Sequence, residues 1–251
     1  MLRVAAVCIA ALMAAGFSSL PGLPASLAAH LVEPGGTSPL LPPAPIDAAL
    51  ARLHDREGRI TTAQGVEVFW RAIDPGDYGL RLSWPEGLGM ADTFPDLQFD
   101  TPAPSSAAPR GTVVLLHGWM MHGDSMLPWA LRLGQAGYRS ISIDLRNHGR
   151  SGHAPSGYGT REAGDVVDVV QALRAQGEIV GPLHLLGVSY GAATAIFAGA
   201  DPRLDVQSVV AMESFAMADA AIRDMVPYMG FSRDTRKNAP QNSNNSFVVM
   251  T

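Results

Sequence analysis

Apolar and polar positions in the central part of the chain follow two patterns, one typical of buried strands and one typical of helices. Runs rich in aliphatic residues predict strands at Thr112–Leu116, Ser140–Asp144, Leu183–Val188 and Val206–Met212. Helical spacing occurs between them, over residues 124–135, 160–176 and 191–199. Strands and helices that alternate in this way predict an α/β fold, with a mostly parallel sheet and helices on both faces.

The region before this core has a different pattern. Residues 33–45 contain five prolines, which exclude a helix or a central strand, and we interpret residues 29–64 as a proline-rich arm with a short helix over residues 46–55. Alternating positions at Gly65–Ile73 and at Leu80–Trp84 flank turn residues. They predict an N-terminal antiparallel hairpin.

The first 28 residues have the features of a secretory signal peptide. Arg3 gives a positive start, residues 4–15 are apolar, and Ser26-Leu27-Ala28 fits a small-residue cleavage site. We therefore expect export to the periplasm or the medium, with an uncleaved anchor or a wrongly assigned start as the alternatives. No later apolar run reaches the roughly 18 residues that a membrane helix needs, so we expect no membrane span after cleavage.

Composition excludes several classes of function. The net charge of −5 gives no electrostatic support to nucleic-acid binding. Cys8 is the only cysteine, which excludes a disulfide framework and a cysteine zinc site.

One motif carries candidate chemistry. Residues 187–191 read Gly-Val-Ser-Tyr-Gly, a G-x-S-x-G sequence between a predicted buried strand and a predicted helix. The glycines allow a sharp, crowded turn that holds the serine above the carboxyl end of the strand. Ser189 is therefore the candidate nucleophile.

Three segments together resemble the α/β-hydrolase fold family: LLHGW at residues 115–119, IDLRNHGRSG at 143–152 and GVSYG at 187–191. Their order and spacing match the family, and the resemblance covers about residues 65–230, within a domain that we place at 65–235. It implies a serine hydrolase, esterase-like, that acts on small-molecule ester or acyl substrates without a cofactor or metal. It also implies that the oxyanion hole is formed by the N–H groups of Tyr190 and Trp119, with Met120 as an alternative to Trp119.

Other polar residues of these segments receive less direct roles. By resemblance, His117 organises the oxyanion loop. We expect Asp144 and Arg146 to hold the loop after their strand by local hydrogen bonds. His122 and Asp124 follow His117 closely enough to suggest metal ligands, but the resemblance is to hydrolases that need no metal at this loop.

The rest of the catalytic triad is harder to place. In this fold the chain order is nucleophile, acid, histidine, and the histidine must take the proton of the serine. All seven histidines precede Ser189, the last being His184, so the family's catalytic histidine is absent from this chain. Glu213 follows the next predicted strand and is a candidate acid; the alternative is a strand-end residue facing the cleft.

Composition changes abruptly near the C-terminus. The only lysine, Lys237, and four of the five asparagines lie after residue 236. We interpret residues 236–251 as a non-native or disordered tail, with a natural polar tail as the alternative. The last strands of the family sheet are then missing, and Val206–Met212 is left with an exposed edge.

Two functions follow from the sequence. The first is an exported serine hydrolase in a shortened form, and the second is a catalytically inactive member that serves as a binding or structural protein. The sequence does not distinguish ester, thioester and amide substrates, and it does not indicate the oligomeric state.

Overall fold

The computed structural model describes residues 47, 49–53, 55–83, 96–101 and 107–225. The described residues up to 214 form one compact unit, and residues 215–225 belong to a second unit. The predicted signal peptide, most of the proline-rich arm and the predicted tail lie outside the described residues.

A six-stranded mixed sheet is the centre of the larger unit. Its strands are β1 (Asp55–Thr61), β2 (Glu67–Ile73), β5 (Thr112–Leu116), β6 (Arg139–Ile143), β7 (Leu183–Val188) and β8 (Val206–Met212), in the order β1-β2-β6-β5-β7-β8. The neighbours β6, β5, β7 and β8 are parallel, whereas β1 and β2 run antiparallel to each other and β2 to β6. The predicted α/β fold, with a mostly parallel sheet, is confirmed.

A helix follows each of the four parallel strands. They are α1 (Leu127–Gln135), preceded by a 3₁₀ turn at Gly123–Met126, then α2 (Thr160–Ala175), α3 (Tyr190–Gly199) and, in the second unit, α4 (Ala218–Met225). In the described part of the chain, no helix has the length and apolar character needed to cross a bilayer.

The N-terminal hairpin is present, but one of its strands differs from the expectation. In the structure β1 pairs with β2, Asp55 opposite Ile73, and the segment Arg81–Ser83 (β3) pairs instead with Asp96–Gln98 (β4) in a separate two-stranded sheet. The reason is a tight turn before β2: the N–H of Gly65 bonds to the carbonyl of Thr62, and Gly65 has a φ of +77°. Of the predicted helix over 46–55, residues 47, 49 and 50 are helical, residues 46, 48 and 54 lie outside the described residues, and Asp55 already begins β1.

Alternate residues of β5 pack into two different cores. Val113 and Leu115 lie in the cluster that contains the buried face of α1. Val114 and Leu116 lie in the cluster that contains the buried faces of α2 and α3. Because a strand points successive side chains to opposite faces, helices cover both faces of this sheet.

The outer strand β8 is exposed along its length. Five of its seven residues are exposed, including Val209 and Val210, and no other described strand pairs with its outer edge. Ile196 and Phe197 of α3 are also exposed. Unpaired edges with apolar side chains favour association with other chains.

A buried ion pair joins the loop after β6 to α2. The Nε of Arg146 lies 2.6 Å from Oδ2 of Asp165, and both side chains are 2% exposed. Arg146 also donates to the side-chain oxygen of Gln64 at 2.9 Å. Burial raises the pKa of Asp165 above its usual value even though the Arg146 guanidinium acts in the opposite direction. The free-energy cost of removing these two charges from water therefore offsets much of the attraction between them.

Removal of one partner of this ion pair should destabilise the fold strongly. We expect Asp165→Ala to lower the free energy of unfolding by about 3–5 kcal/mol, because Arg146 then keeps an uncompensated buried charge. The double variant Arg146→Met/Asp165→Leu should lose less than the single variant. Urea unfolding followed by circular dichroism measures both.

The matched control is an exposed ion pair, Arg59 with Glu67, whose side chains are 46% and 54% exposed. Glu67→Ala should change the free energy of unfolding by less than about 1 kcal/mol. A loss at Asp165→Ala no larger than at Glu67→Ala, or a double variant as unstable as the single one, contradicts this account of the pair.

Candidate active site

Ser189 occupies a sharp turn between β7 and α3. Strand β7 ends at Val188 and helix α3 begins at Tyr190, so a single residue reverses the direction of the chain. Ser189 has a φ of 52° and a ψ of −110°, in a region that residues with a side chain rarely adopt. Such strain persists only where the surroundings enforce it, and it is concentrated at functional sites.

Two glycines of the motif are required by close backbone contacts. A Cβ on Gly187 would lie 2.1 Å from the carbonyl oxygen of Gly191. A Cβ on Gly191 would lie 2.1 Å from the carbonyl oxygen of Leu116 and 2.6 Å from that of His117. Any side chain at either position would therefore force the backbones apart. The first turn of α3 is in this way held against the carboxyl end of β5.

The loop after β5 is fixed by a buried histidine. His117 is fully buried, and its Nε2 accepts the N–H of Leu145 at 3.0 Å, so its Nδ1 carries the proton and donates to the carbonyl of Gly118 at 2.7 Å. Burial lowers the pKa of His117 to about 3, which keeps the ring neutral. The hydrogen bond between the N–H of Leu145 and Nε2 of His117 joins the loop after β6 to the end of β5.

Trp119 and Met120 follow this histidine in a turn beside the serine. Met120 has a φ of +58°. At Gly118 a Cβ would lie 3.7 Å from the carbonyl oxygen of Val188, the residue before Ser189. The structure therefore brings the loop with Trp119 next to the turn with Ser189 and Tyr190.

Glu213 lies at the same edge of the sheet, one strand further out. It directly follows β8, its side chain is exposed, and its φ is +55°. The carbonyl of Met212 accepts the N–H of Ser189 at 2.8 Å, which makes Glu213 and Ser189 neighbours across the two strands.

Left-handed backbone conformations mark this edge of the sheet. Each of the four parallel strands is followed within four residues by a non-glycine residue of positive φ: Met120, Asn147, Ser189 and Glu213. In open α/β sheets, ligands bind at the carboxyl ends of the strands. The concentration of strain there indicates a functional site.

Asp144 holds two loops together, as expected from the sequence. It follows β6, is fully buried, and accepts the N–H of Gly123 at 2.6 Å and the N–H of Arg150 at 2.8 Å. Burial pushes its pKa up, but the guanidinium and N–H of Arg150 bring the pKa below its usual range. The carboxylate is charged at neutral pH and fixes the loops after β5 and β6 relative to each other.

The residues near His122 are occupied by ion pairs. Asp124 pairs with Arg71 at 3.0 Å and with Arg150 at 2.8 Å, whereas Nδ1 of His122 is 4.0 Å from its carboxylate. No group of three or more histidine, cysteine or carboxylate side chains in the described ranges is arranged to hold a metal ion.

A buried cluster behind the serine was not recognised in the sequence. The hydroxyl of Tyr190 lies 3.2 Å from that of Ser156, and the fully buried carboxylate of Glu162 accepts the N–H groups of Gly157 and Gly159 at 2.8 and 2.7 Å. Burial raises the pKa of Tyr190, and the negative charge of Glu162 adds to that rise. The available signal was a glutamate three residues into a helix after a glycine-rich turn, which is typical of a helix cap.

Solved structures of similar fold include an esterase. Two crystal forms of the esterase Pf2001 from Pyrococcus furiosus match with TM-scores of 0.53 and 0.52, at 20% and 19% identity, over 76% and 77% of this chain and 63% of the esterase. An esterase from Exiguobacterium antarcticum matches with a TM-score of 0.44 at 20% identity, over 72% of this chain and 56% of its own. The chain thus spans less than two thirds of the length of these proteins, and at such identities the likeness is one of fold. No curated protein matches the sequence.

The sequence also matches a family model, described as the alpha/beta hydrolase family, over residues 113–245. This match covers more than half of the chain and includes the loop after β5, the loop after β6 and the turn at Ser189. The chain belongs to the α/β hydrolase family.

Proposed function

We propose that this chain is the core of an exported serine hydrolase that transfers the acyl group of a small-molecule ester to water. Ser189 is the nucleophile. The observation that carries this proposal is the position of Ser189, alone in a strained turn between β7 and α3 and next to the loop that follows β5. A half-buried serine in this geometry is the arrangement of a nucleophile elbow.

The oxyanion hole is formed by two backbone N–H groups. Tyr190 is the first residue of α3, and the first N–H groups of a helix have no acceptor within the helix. The N–H of Trp119 is the second donor, from the loop that His117 holds in place. Each such donor contributes on the order of 10² to 10³ in rate, because it meets the negative charge that develops on the carbonyl oxygen.

The reaction needs a base that takes the proton of Ser189. As the Oγ of Ser189 bonds to the carbonyl carbon, its proton passes to the base and then to the departing alcohol; water later repeats the attack and releases the acid. All seven histidines precede Ser189, so the family's base is not among the residues of this chain. Glu213 is the proposed acid, since it is the carboxylate next to Ser189 along the sheet edge.

Added imidazole should replace the missing base. We expect slow hydrolysis of p-nitrophenyl acetate by the wild-type chain, because loss of one essential triad member costs up to about 10⁶ in turnover. Imidazole should increase the protein-dependent rate by at least tenfold, because the free imidazole accepts the proton of Ser189. Ser189→Ala should abolish the increase. Initial rates, corrected for imidazole alone, measure both.

Ser208→Ala is the matched control, because Ser208 is a serine that does have a histidine partner, Nδ1 of His184 at 2.8 Å, and it lies in the exposed part of β8, away from the turn at Ser189. This variant should hydrolyse the ester as the wild type does. An imidazole effect that persists in Ser189→Ala, or that disappears in Ser208→Ala, refutes the assignment of Ser189.

The second candidate function is a catalytically inactive binding or structural protein. The observation that favours it is the absence of any histidine after Ser189. It predicts a folded wild-type chain whose ester hydrolysis does not respond to imidazole at all, so the same experiment separates the two functions.

Export is the remaining part of the proposal, and it is supported by the charge and apolar pattern of residues 1–28. We expect the full chain, expressed in a Gram-negative host, to be recovered from the periplasm with an N-terminus at Ala29 or His30. Arg3→Glu should slow this processing because it removes the positive start. Protein found only in the cytosol, beginning at Met1, contradicts export.

A further inference from the structure

We propose that His148 is a positioning residue whose ring couples the loop carrying Trp119 to the turn carrying Ser189. The proposal rests on the proposed function, because it concerns the alignment of the two N–H groups of the oxyanion hole. It assigns a role to a histidine that takes no part in the chemical steps.

His148 is held rigidly by its own loop. It is 1% exposed, and its Nδ1 lies 2.9 Å from the carbonyl of Arg146. Its N–H donates to the carbonyl of Leu145, and its own carbonyl accepts the N–H of Ser151, both at 3.0 Å. The orientation of the ring is therefore set by the loop after β6, before any contact with the site.

The ring of His148 contacts two further rings. Its centroid lies 5.0 Å from that of His117, with an angle of 65° between the ring planes. The centroid of the Tyr190 ring lies 5.5 Å from that of the His148 ring, with an angle of 51° between the ring planes. Tilted and edge-to-face pairs at these distances are the favourable geometries for aromatic rings.

These two neighbours are the residues that determine where the oxyanion donors lie. His117 fixes the start of the loop that leads to Trp119, through its bonds to Gly118 and Leu145. Tyr190 carries the other donor on its own backbone. A continuous row of three buried rings, with His148 in the middle, thus joins the two halves of the hole.

Two further contacts restrict the movement of the Tyr190 side chain. Its ring also meets that of Tyr158, with centroids 5.6 Å apart, and its hydroxyl is near Ser156. His148, Ser156 and Tyr158, all between β6 and α2, thus contact the Tyr190 side chain. His148 is the member of this set that also reaches the loop after β5.

Substitutions can separate the role of the His148 ring from the role of its hydrogen bond, because only one of the two ring nitrogens is bonded in the described part of the chain. Nε2 is buried and has no hydrogen-bond partner among the described residues. Phenylalanine at this position keeps a flat ring and loses only the donor to Arg146. Asparagine keeps a donor close to the position of Nδ1 and loses the ring. The two variants distinguish coupling through the ring from a local role in the loop.

The test compares His148→Phe and His148→Asn in the imidazole-supported hydrolysis of p-nitrophenyl acetate. We expect His148→Asn to lower kcat by about tenfold or more with KM within about twofold, because misplaced donors weaken the transition state more than substrate binding. His148→Phe should retain most of kcat. His184→Ala, at a half-buried histidine near the other end of β7, is the matched control and should leave both constants unchanged.

A second readout does not need catalysis. The NMR order parameter of the Tyr190 N–H should be near 0.85 in the wild type and His148→Phe, and fall towards 0.6 in His148→Asn. Absence of Ser189-dependent hydrolysis with this pattern of order parameters refutes the proposed function and supports the coupling. Equal order parameters in all variants, or a kcat retained by His148→Asn and lost in His148→Phe, overturn the proposal about His148.

Discussion

The contact on which the site depends is the close approach of α3 to the carboxyl end of β5. A Cβ at Gly191 would lie 2.1 Å from the carbonyl oxygen of Leu116, and one at Gly187 would lie 2.1 Å from that of Gly191. Because only glycine fits at both positions, the helix begins directly beside the strand and Ser189 is forced into its turn. The same contact places the first N–H of α3 next to the loop that begins at His117.

Buried polar groups hold the loops around this contact. His117 ties the end of β5 to Leu145, Asp144 joins Gly123 to Arg150, and the carboxylate of Glu162 gathers the N–H groups before α2. Hydrogen bonds of this kind are strong where water is excluded, and a fully bonded network fixes one arrangement. The donors of the proposed oxyanion hole would then need little reorganisation when charge develops.

The parallel strands and the serine turn were predictable because each depends on a local pattern. Thr112–Leu116, Leu183–Val188 and Val206–Met212 were predicted with the observed bounds, since each is a short aliphatic run with clear ends. Val206–Met212 has this pattern although most of its side chains are exposed. The predicted pairing of Glu67–Ile73 with the segment from Leu80 was wrong, because alternation of apolar and polar residues predicts a strand but not which strand lies beside it. The turn at Gly65 pairs Glu67–Ile73 with Asp55–Thr61 instead. The packing of His148 against His117 and Tyr190 joins residues far apart in the sequence, and no local spacing indicates it.

Mass spectrometry after reaction with a fluorophosphonate tests most directly whether this backbone contact produces a reactive serine. The protein is incubated for a long period with imidazole, because the chain has no histidine after Ser189, and then digested and mapped. The account predicts a single adduct on Ser189, and none in Gly191→Ala, in which the added Cβ forces α3 away from β5. An adduct on other serines with Ser189 unmodified, or equal modification of Ser189 in folded Gly191→Ala, would contradict it.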